Sequence, residues 1–284
     1  MKDLRLFPVK QARLRLWFVC FVLIAGTDVE AVDSTTVSES GPYLNGRFLR
    51  NCITDAGHYY SAPLRWRGPD FAAAIFIISL AAALYTQDEP VNAWCRRNRT
   101  IETDRISSVV THFGESMVLA PAVCGIYLGG ALLHNARSRR TALIAAESFV
   151  LGGVLEGGMK MFFHRHRPDS GDPYDRWDGP SLSLRNLSFP SGHSFAAFTL
   201  ATVAASELRE YRWVAPVAFS LASLTALSRM NDNKHWASDV FMGSALGFWS
   251  ARMVIRLNDE RQHKITVAPL INRSRSGLVM QVAL

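Results

Sequence analysis

The chain is poor in cysteine, the residue that most often marks disulfide frameworks and zinc sites. Its 284 residues contain four cysteines, and no two lie close enough in sequence to form a CxxC metal motif. Cys20 and Cys124 lie in apolar runs and are interpreted as packing residues. Cys52 and Cys95 lie in polar segments and would pair only if both are exported, a disulfide that we do not favour.

Charged residues are also scarce. Asp, Glu, Lys and Arg make up 19% of the chain, against roughly 25% in an average soluble domain. The hydrophobic content of 49% and the mean hydropathy of +0.07 fit either a membrane protein or an apolar soluble bundle. The net charge of +7 favours an anionic partner such as phosphate or a lipid headgroup. No basic stripe is interleaved with stacking aromatics, which argues against a nucleic-acid partner.

Long uninterrupted apolar runs are missing, but six shorter ones follow each other along the chain. Most fall below the ~20 residues that a spanning helix needs, and their Ala, Gly and Ser content is typical of closely packed membrane helices. We predict an all-α fold over residues 71–257, a six-helix transmembrane bundle, with an amphipathic interfacial helix within residues 86–114. The six segments are Phe71–Tyr85, Met117–Leu133, Ala142–Phe163, His193–Leu208, Trp213–Ser228 and Trp236–Leu257.

The two ends of the chain differ from this helical part. Residues 1–31 combine basic residues with a short apolar run, the pattern of a signal peptide or an N-terminal anchor. Residues 32–70 are polar and interrupted by glycine and proline, which predicts irregular structure. Within residues 258–284, the stretches Ile265–Ile271 and Leu278–Leu284 predict the two strands of a β-hairpin.

A basic cluster ends the third apolar segment. Lys160, His164 and Arg167 fall at i, i+4 and i+7, which would place them on one helix face. Pro168 biases Arg167 away from helical geometry, so we expect the helix to end there. Cations favour a helix C-terminus, which accounts for Arg167 without a ligand. Lys160 lies two turns earlier, where Glu156, four residues before it, offers an ordinary ion-pair partner.

A second cluster, Phe189–His193, directly precedes the fourth segment. Ser191 is a candidate helix N-cap, and Gly192 would let the backbone approach a ligand closely. Free N–H groups at a helix start bind phosphate, and His193 on the first turn would face it. A simple serine cap with an interfacial histidine explains this short motif equally well.

A third cluster occupies residues 228–239, between the fifth and sixth segments. His235 and Asp239 stand at i and i+4, which predicts a shared helix face on which the carboxylate fixes the histidine tautomer. Arg229 adds a fork of donors suited to phosphate oxygens. Asp239 alone could be a helix-start charge favoured by the dipole, but that explanation leaves His235 and Arg229 unaccounted for.

The three clusters fall at segment ends that would lie on one face of an up-and-down bundle. Cations, a helix N-terminus and two histidines would then converge without a metal ligand set. This combination suits a phosphoryl group: the cations neutralise its oxygens, one histidine attacks phosphorus and the other protonates the leaving oxygen. The spacing therefore predicts phosphoryl chemistry with no metal and no other cofactor, and it leaves open which histidine has which role.

The three motifs together resemble those of the type 2 phosphatidic acid phosphatase superfamily, which includes bacterial acid phosphatases and vanadium haloperoxidases. The family pattern is K-x6-RP, PSGH and SR-x5-H-x3-D, and all three motifs are complete and in order here. The resemblance covers roughly residues 71–257. The matching positions are Lys160, Arg167, Pro168, Pro190, Ser191, Gly192, His193, Ser228, Arg229, His235 and Asp239.

The resemblance implies a role for each of these side chains. His235 would be the nucleophile that forms a phosphohistidine, Asp239 would orient it, and His193 would be the general acid. Family members need no metal. The residues expected to hold the phosphate oxygens are Lys160, Arg167, Ser191, Gly192 and Arg229.

Four further features lie beside these motifs. His164 and His166 fall inside the x6 spacer, and we interpret them as local groups rather than catalytic ones. Lys234 is interpreted as a solvated side chain, with contact to a substrate headgroup as the alternative. The loop 169–189 carries four aspartates and would disfavour highly anionic headgroups if it lies at the entrance of the site.

The sequence gives conflicting signals on topology. Arginines follow the second and sixth segments, opposite the predicted site, so the positive-inside tendency places the site outside the cytoplasm. A cleaved signal peptide followed by six spans would place it inside. Either the N-terminal run is not a signal, or one segment does not span, or the whole chain is exported as a soluble bundle. We favour an inner-membrane protein with a periplasmic-facing site, with a soluble periplasmic protein as the alternative.

The predicted function is hydrolysis of a phosphomonoester or diphosphate, with a lipid phosphate in the membrane as the favoured substrate. The alternatives are a soluble exported acid phosphatase, a vanadium-dependent haloperoxidase with a similar oxyanion pocket, and a lipid-binding protein without activity. The sequence gives no indication of oligomeric state.

Overall fold

The computed structural model describes residues 42–262, 265–272 and 275–282. This part of the chain forms nine α-helices and two β-strands, joined in places by short 3-10 turns. The helices are α1 (Gly46–Tyr60), α2 (Gly68–Tyr85), α3 (Asp88–Arg97), α4 (Ile101–Val110), α5 (Ser116–Leu132), α6 (Ala136–Phe163), α7 (Gly192–Glu207), α8 (Val214–Asn231) and α9 (Ala237–Gln262), and the strands are β1 (Ile265–Asn272) and β2 (Arg275–Val282).

The prediction of a mainly helical chain is confirmed, but the described residues contain nine helices rather than six. Each of the six apolar segments contains one helix: α2 and α5 to α9. The helix α4 falls where the amphipathic helix was predicted, and α3 precedes it. The prediction of irregular structure over residues 32–70 is wrong at Gly46–Tyr60. There the Asn45 side chain accepts a hydrogen bond from the Phe48 N–H at 3.0 Å and caps α1, so Gly46 begins the helix instead of breaking it.

The C-terminal strands β1 and β2 pair antiparallel, with Ile265 opposite Val282 and Asn272 opposite Arg275. Relative to the predicted strands, β2 begins three residues earlier. The predicted signal peptide or anchor over residues 1–31 lies outside the described residues, as does Cys20.

Two described helices are long and apolar enough to cross a membrane, α2 and α6. A third candidate arises if Ile101–Gly114 and Ser116–Leu132, bent by 52° at their junction, are taken as one broken span. The helix α2 packs little of its surface within the protein, and Ile75 and Phe76 are 62% and 68% exposed. Isolated apolar side chains are ordinary on a surface, but a whole apolar helix is not, and a bilayer would cover it.

The largest core cluster is formed where α6, α7 and α9 meet. Ile144 on α6, Val203 on α7 and Val254 on α9 are almost fully buried there. Near the site, Gly243 and Gly247 lie one turn apart on α9 and bring it against the start of α7. A side chain at either position would collide with a backbone carbonyl of α7 or its cap. Such small residues are what allow two helix backbones to touch.

The cysteines correct one interpretation. Cys124 is exposed on α5 instead of packed, and Cys52 and Cys95 are both free thiols. Burial raises the pKa of Cys95, which makes its thiol a weak nucleophile.

Candidate active site

His235 lies in the turn before α9, because this helix begins at Ala237. The predicted shared helix face for His235 and Asp239 is therefore wrong. Asp239 is instead in the first turn of α9, where its Oδ2 accepts a hydrogen bond from the Trp236 N–H at 3.0 Å. The carboxylate thus caps the helix, and Oδ2 still lies 3.9 Å from His235 Nδ1. That separation is too long for a hydrogen bond.

Ser188 makes the link between the two residues. His235 Nδ1 lies 2.8 Å from the Ser188 carbonyl oxygen. Because a carbonyl only accepts, Nδ1 carries the proton and Nε2 keeps its lone pair. The Ser188 hydroxyl donates to Asp239 Oδ2 at 2.6 Å. Asp239 therefore orients His235 through Ser188.

The His235 ring is neutral over the physiological pH range. Its exposed fraction is 4%. Burial lowers the pKa of His235 to about 4, the nearby carboxylate of Asp239 opposes that shift, and the charge of Lys160 adds to it. A neutral ring with a free Nε2 is the form that can act as a nucleophile.

Lys160 reaches the same region from the last turn of α6. Its ammonium donates to the carbonyl oxygens of Leu187 at 3.1 Å and Pro190 at 2.6 Å. Glu156 Oε1 lies 3.0 Å from Lys160 Nζ, so the expected ion pair is present. Lys160 therefore fixes the segment before α7 and holds a positive charge beside the start of that helix.

The helix α6 ends at Phe163, four residues earlier than predicted. His164 follows in the left-handed conformation, with φ of 42°. Lys160, His164 and Arg167 therefore do not share a helix face. Arg167 is extended, as expected for a residue before proline, with φ of −84° and ψ of 156°. Within the described residues, its half-buried guanidinium has no hydrogen-bond partner.

The PSGH segment begins α7 as predicted. Ser191 is buried and its side chain accepts from the Ser194 N–H, which makes it the N-cap. Gly192 lies so near Glu156 that a Cβ there would be 3.1 Å from Oε1. His193 is on the first turn, and its ring interacts electrostatically with Arg229 and His235.

Arg229 occupies the end of α8. Its Nη1 donates to Thr111 Oγ1 at 2.6 Å and to Asp232 Oδ2 at 3.2 Å. Its Nε is buried without a hydrogen-bond partner among the described residues. An unpaired buried donor is costly, and an anionic ligand would satisfy it.

All eight predicted site residues thus lie around the end of α6, the start of α7, the end of α8 and the start of α9 with the turn before it. The Ser191 N–H donates to the Asp239 carbonyl oxygen at 3.0 Å, which joins the second and third motifs directly. Among the residues that the structure describes, no three His, Cys, Asp or Glu side chains gather in a way that could hold a metal ion.

Sequence reasoning gave no role to three residues of this network: Ser188, Arg165 and Asp88. The fully buried Arg165 guanidinium donates to Asp239 Oδ1 and to Asp88 Oδ2, both at 2.6 Å. Asp88 begins α3, far away in the sequence. No local pattern marked these residues, although Arg165 directly follows His164 of the basic cluster in the sequence.

The aspartates of loop 169–189 are mostly paired within the protein. Asp169 binds Lys234 at 2.6 Å, so Lys234 is not simply solvated. Asp172 and Asp178 bind the two ring nitrogens of His166 at 2.6 and 2.9 Å. These pairs reduce the negative charge that the loop would present to a headgroup.

His164 is buried and has a local role. Its ring nitrogens lie 2.9 Å from the Met161 carbonyl oxygen and 2.8 Å from that of Ser183. The ring therefore anchors the loop to the end of α6.

Comparison with known proteins agrees with this site. A family model described as the PAP2 superfamily matches residues 141–263. A lipid A 1-phosphatase of Rhizobium etli is 31% identical over 207 residues, which cover 66% of this chain and 82% of that protein. A lipid A 1-phosphatase of Porphyromonas gingivalis is 34% identical over 131 residues, or 42% of this chain. The match spans only 26% of the length of the Porphyromonas protein.

A solved structure shares the fold. The crystal structure of a transmembrane PAP2 type phosphatidylglycerolphosphate phosphatase from Bacillus subtilis superposes with a TM-score of 0.52 at 24% sequence identity. The match covers 67% of this chain and 96% of that one. With the relative from Rhizobium etli and the match of the family model over all three motifs, the chain belongs to the PAP2 superfamily of phosphatases.

Proposed function

We propose that the protein is a metal-independent phosphatase that hydrolyses a lipid phosphate through a phosphohistidine at His235. The observation that carries the proposal is the geometry of this ring. Its Nδ1 is held by a carbonyl, its Nε2 is free, and the ring is neutral in a buried site surrounded by cations. A buried neutral histidine with one committed nitrogen is otherwise only a packing residue, but the adjacent unpaired arginine donors favour an anionic ligand.

The reaction would take two steps. In the first, the lone pair of His235 Nε2 attacks phosphorus, the bond between phosphorus and the lipid oxygen breaks, and His193 gives its proton to that oxygen. In the second, water attacks phosphorus, the phosphorus–nitrogen bond breaks, and the proton of the water returns to His193. Inorganic phosphate leaves, and His235 is neutral again.

The phosphate oxygens would be held by donors from three elements. Arg167 and Arg229 offer free guanidinium N–H groups. Gly192 is the first residue of α7, where the backbone N–H groups of the first turn can bind an anion. Lys160 and the Ser191 hydroxyl complete the pocket. Burial and the charge of Arg229 lower the pKa of His193, so a bound dianion would be needed to favour the protonated form that acts as general acid.

A lipid is the favoured substrate. The relatives named lipid A 1-phosphatase support a phosphate on a lipid A-type anchor. The exposed apolar surface of α2 supports a membrane location over a soluble one. We infer that the segments within residues 71–257 form the catalytic domain in the inner membrane, with the site facing the periplasm. A lipid diphosphate would present the same terminal phosphoryl group.

The test is phosphate release by the purified protein in detergent, with EDTA, from a lipid A-type phosphate, phosphatidic acid, a polyprenyl diphosphate and a soluble phosphomonoester. His235→Ala should lower the rate by at least about 10³-fold. The matched control is His134→Asn, in an exposed turn at the opposite end of α6, where asparagine tolerates the positive φ. Activity of His235→Ala equal to that of the control would reject the mechanism, and a preference for the soluble ester would reject the lipid substrate.

A further inference from the structure

Arg165 is a cation that the protein buries completely. Its side chain has an exposed fraction of 0%, as have those of Asp88 and Asp239, to which it is paired. Burying an arginine is strongly destabilising unless the protein supplies partners in good geometry. Here Nη1 meets Asp239, Nη2 meets Asp88, and the Tyr174 carbonyl oxygen accepts from Nε and Nη2.

Aromatic rings fix the plane of this guanidinium. Its Cζ lies 5.0 Å from the centre of the Tyr85 ring, 4.9 Å from that of Trp177 and 5.4 Å from that of Trp236. Such contacts favour arginine over lysine, because a flat, weakly hydrated cation stacks on rings while it donates in its own plane. The position of Arg165 is therefore set on every side.

Arg165, Ser188 and Asp239 form one closed ring of hydrogen bonds, and the nucleophile is bonded to this ring through Ser188. The Arg165 carbonyl oxygen accepts from the Ser188 N–H at 3.1 Å. Ser188 in turn accepts from His235 Nδ1 through its carbonyl and donates through its hydroxyl to Asp239. Arg165 closes the ring by donating to the other oxygen of Asp239. A shift of Arg165 would thus move Ser188, which binds His235, and Asp239, which holds the Ser188 hydroxyl.

The charges of this buried group do not cancel. Burial raises the pKa of Asp88, and its bonds from Ser238 and Arg165 oppose that shift. Both of its oxygens accept hydrogen bonds, as in an ionised carboxylate. One guanidinium and two carboxylates leave one net negative charge within this group, which offsets part of the positive charge of Lys160 and Arg167 around His235. When Nε2 attacks phosphorus while Nδ1 keeps its proton, the ring gains a positive charge. The net negative charge stabilises that state, and Asp88 keeps Arg165 from neutralising Asp239.

We propose that Arg165 is a positioning residue that orients His235 through Asp239 and Ser188, with Asp88 as its charge-balancing partner. This inference rests on the proposed function, because it assigns a role relative to the His235 nucleophile. Arg165 touches no substrate atom and acts only through the residues that it holds.

Removing the charge of Arg165 and removing that of Asp88 should shift the pH dependence of kcat/KM in opposite directions. Arg165→Gln removes a positive charge, so groups near it bind protons more tightly and the acid limb of kcat/KM moves to higher pH. Asp88→Asn removes a negative charge and moves that limb to lower pH. Both variants should lower kcat, Arg165→Gln on the order of 100-fold, because the nucleophile loses its fixed geometry. Arg165→Lys keeps the positive charge but can reach only one of the two carboxylates. Compared with Arg165→Gln, it should therefore have a higher kcat and an acid limb closer to the wild-type pH.

The experiment measures the pH profile of kcat/KM per folded molecule for these three variants in detergent, beside His235→Ala. The matched control is Arg139→Gln, another buried arginine, which lies at the other end of α6, on the order of 35 Å away along the helix. It should lose stability without moving the acid limb. Opposite shifts for Arg165→Gln and Asp88→Asn, with none for Arg139→Gln, support the inference.

Two results would overturn the inference. The first is an Arg165→Gln variant with the kcat and the acid limb of the wild type, while His235→Ala is inactive. The inactivity of His235→Ala would leave the phosphatase mechanism itself intact. The second is a shift of the same sign in both charge variants. If Arg165→Gln does not fold, Asp88→Asn decides the question: a shift of its acid limb to higher pH, or wild-type kcat in both Asp88→Asn and Arg165→Lys, overturns the inference. Full activity of His235→Ala is a separate outcome that rejects the proposed function itself.

Discussion

Gly243 on α9 packs directly against the carbonyl oxygen of Ser191, so that a side chain at 243 would occupy the place of that oxygen. The contact holds the N-cap of α7 beside the first turn of α9, which carries Asp239. A glycine at this position therefore connects helix packing to the geometry of the site.

We predict that Gly243→Ala lowers both stability and activity. The added methyl group must push α7 away from α9, an overpacking cost of about 1–3 kcal/mol, and it displaces the phosphate-binding end of α7. Gly153→Ala on α6 is the control, because a Cβ there meets nothing within 4 Å. Thermal unfolding in detergent and phosphatase assays on both variants check this. Equal melting temperatures of the Gly243→Ala and Gly153→Ala variants would show that α7 and α9 can move apart without loss of stability.

Ser188→Ala is expected to lower kcat about 10-fold while leaving KM nearly unchanged. The change removes the hydroxyl bond to Asp239, worth ~1.5 kcal/mol for a charged acceptor, and keeps the carbonyl that holds His235 Nδ1. Ser183→Ala, on the exposed part of the same loop, is the control. Steady-state kinetics with one lipid substrate separate the two parameters. A rise in KM alone would place Ser188 in substrate binding instead.

The acid limb of kcat/KM is expected near pH 4 for the wild-type protein. The reason is that burial lowers the pKa of His235 to about 4, and below that pH the protonated ring has no lone pair on Nε2. Protonation of His235 should therefore cost no activity above about pH 5 and about tenfold per pH unit below pH 4, while loss of the proton of His193 gives a separate decline on the alkaline side. Circular dichroism at each pH separates titration from unfolding. An acid limb of kcat/KM near the ordinary histidine pKa of ~6.5 would contradict the proposal that the nucleophile His235 is buried and neutral.

The motif spacing predicted which side chains would meet, but not how they would be held. Lys160, Ser191 and Arg229 could be found from sequence because each lies at the end of a recognisable apolar segment. The His235–Asp239 spacing also indicated a relation, yet the helix begins at Ala237 and the link passes through Ser188. A four-residue spacing fits both a helix face and a helix cap, and only the tertiary structure distinguishes them.

Arg165 and Asp88 could not have been paired from sequence. They lie 77 positions apart and meet only because α3 packs beside the start of α9. A buried arginine and a surface arginine look identical in a basic cluster. The helix α1 escaped prediction for a different reason, since Gly46 indicates a break unless the Asn45 cap is recognised.

His166→Gln should destabilise the protein at acidic pH and not at alkaline pH. Burial alone would lower the pKa of His166, but its bonds to Asp172 and Asp178 outweigh that effect and raise it. The stabilisation is therefore complete below the unfolded pKa of ~6.5 and is lost as the pH rises through the folded pKa. Melting temperatures of variant and wild type at pH 6 and pH 9 test this. His134→Asn is the control. A loss of melting temperature in His166→Gln that is equal at both pH values would show that the charge of His166 does not stabilise the loop.

Glu156→Gln is expected to strengthen the binding of inorganic phosphate. Glu156 Oε1 lies 3.0 Å from Lys160 Nζ and close to Gly192, at the place where the phosphate would meet the start of α7. Its negative charge repels the phosphate and competes for the same ammonium. Lys160 keeps its bonds to two carbonyl oxygens in the variant, so its position does not depend on Glu156. Removing roughly 1 kcal/mol of repulsion should lower the inhibition constant of phosphate about 5-fold.

Competitive inhibition by inorganic phosphate measures this effect against a lipid substrate. Glu207→Gln is the control, because Glu207 ends α7 at the other end of that helix and is paired with Arg140. Its inhibition constant should equal that of the wild type. Weaker phosphate binding in Glu156→Gln would mean that the carboxylate is needed to hold Lys160 in place. Glu156 would then support the phosphate site, and its charge would not oppose the phosphate.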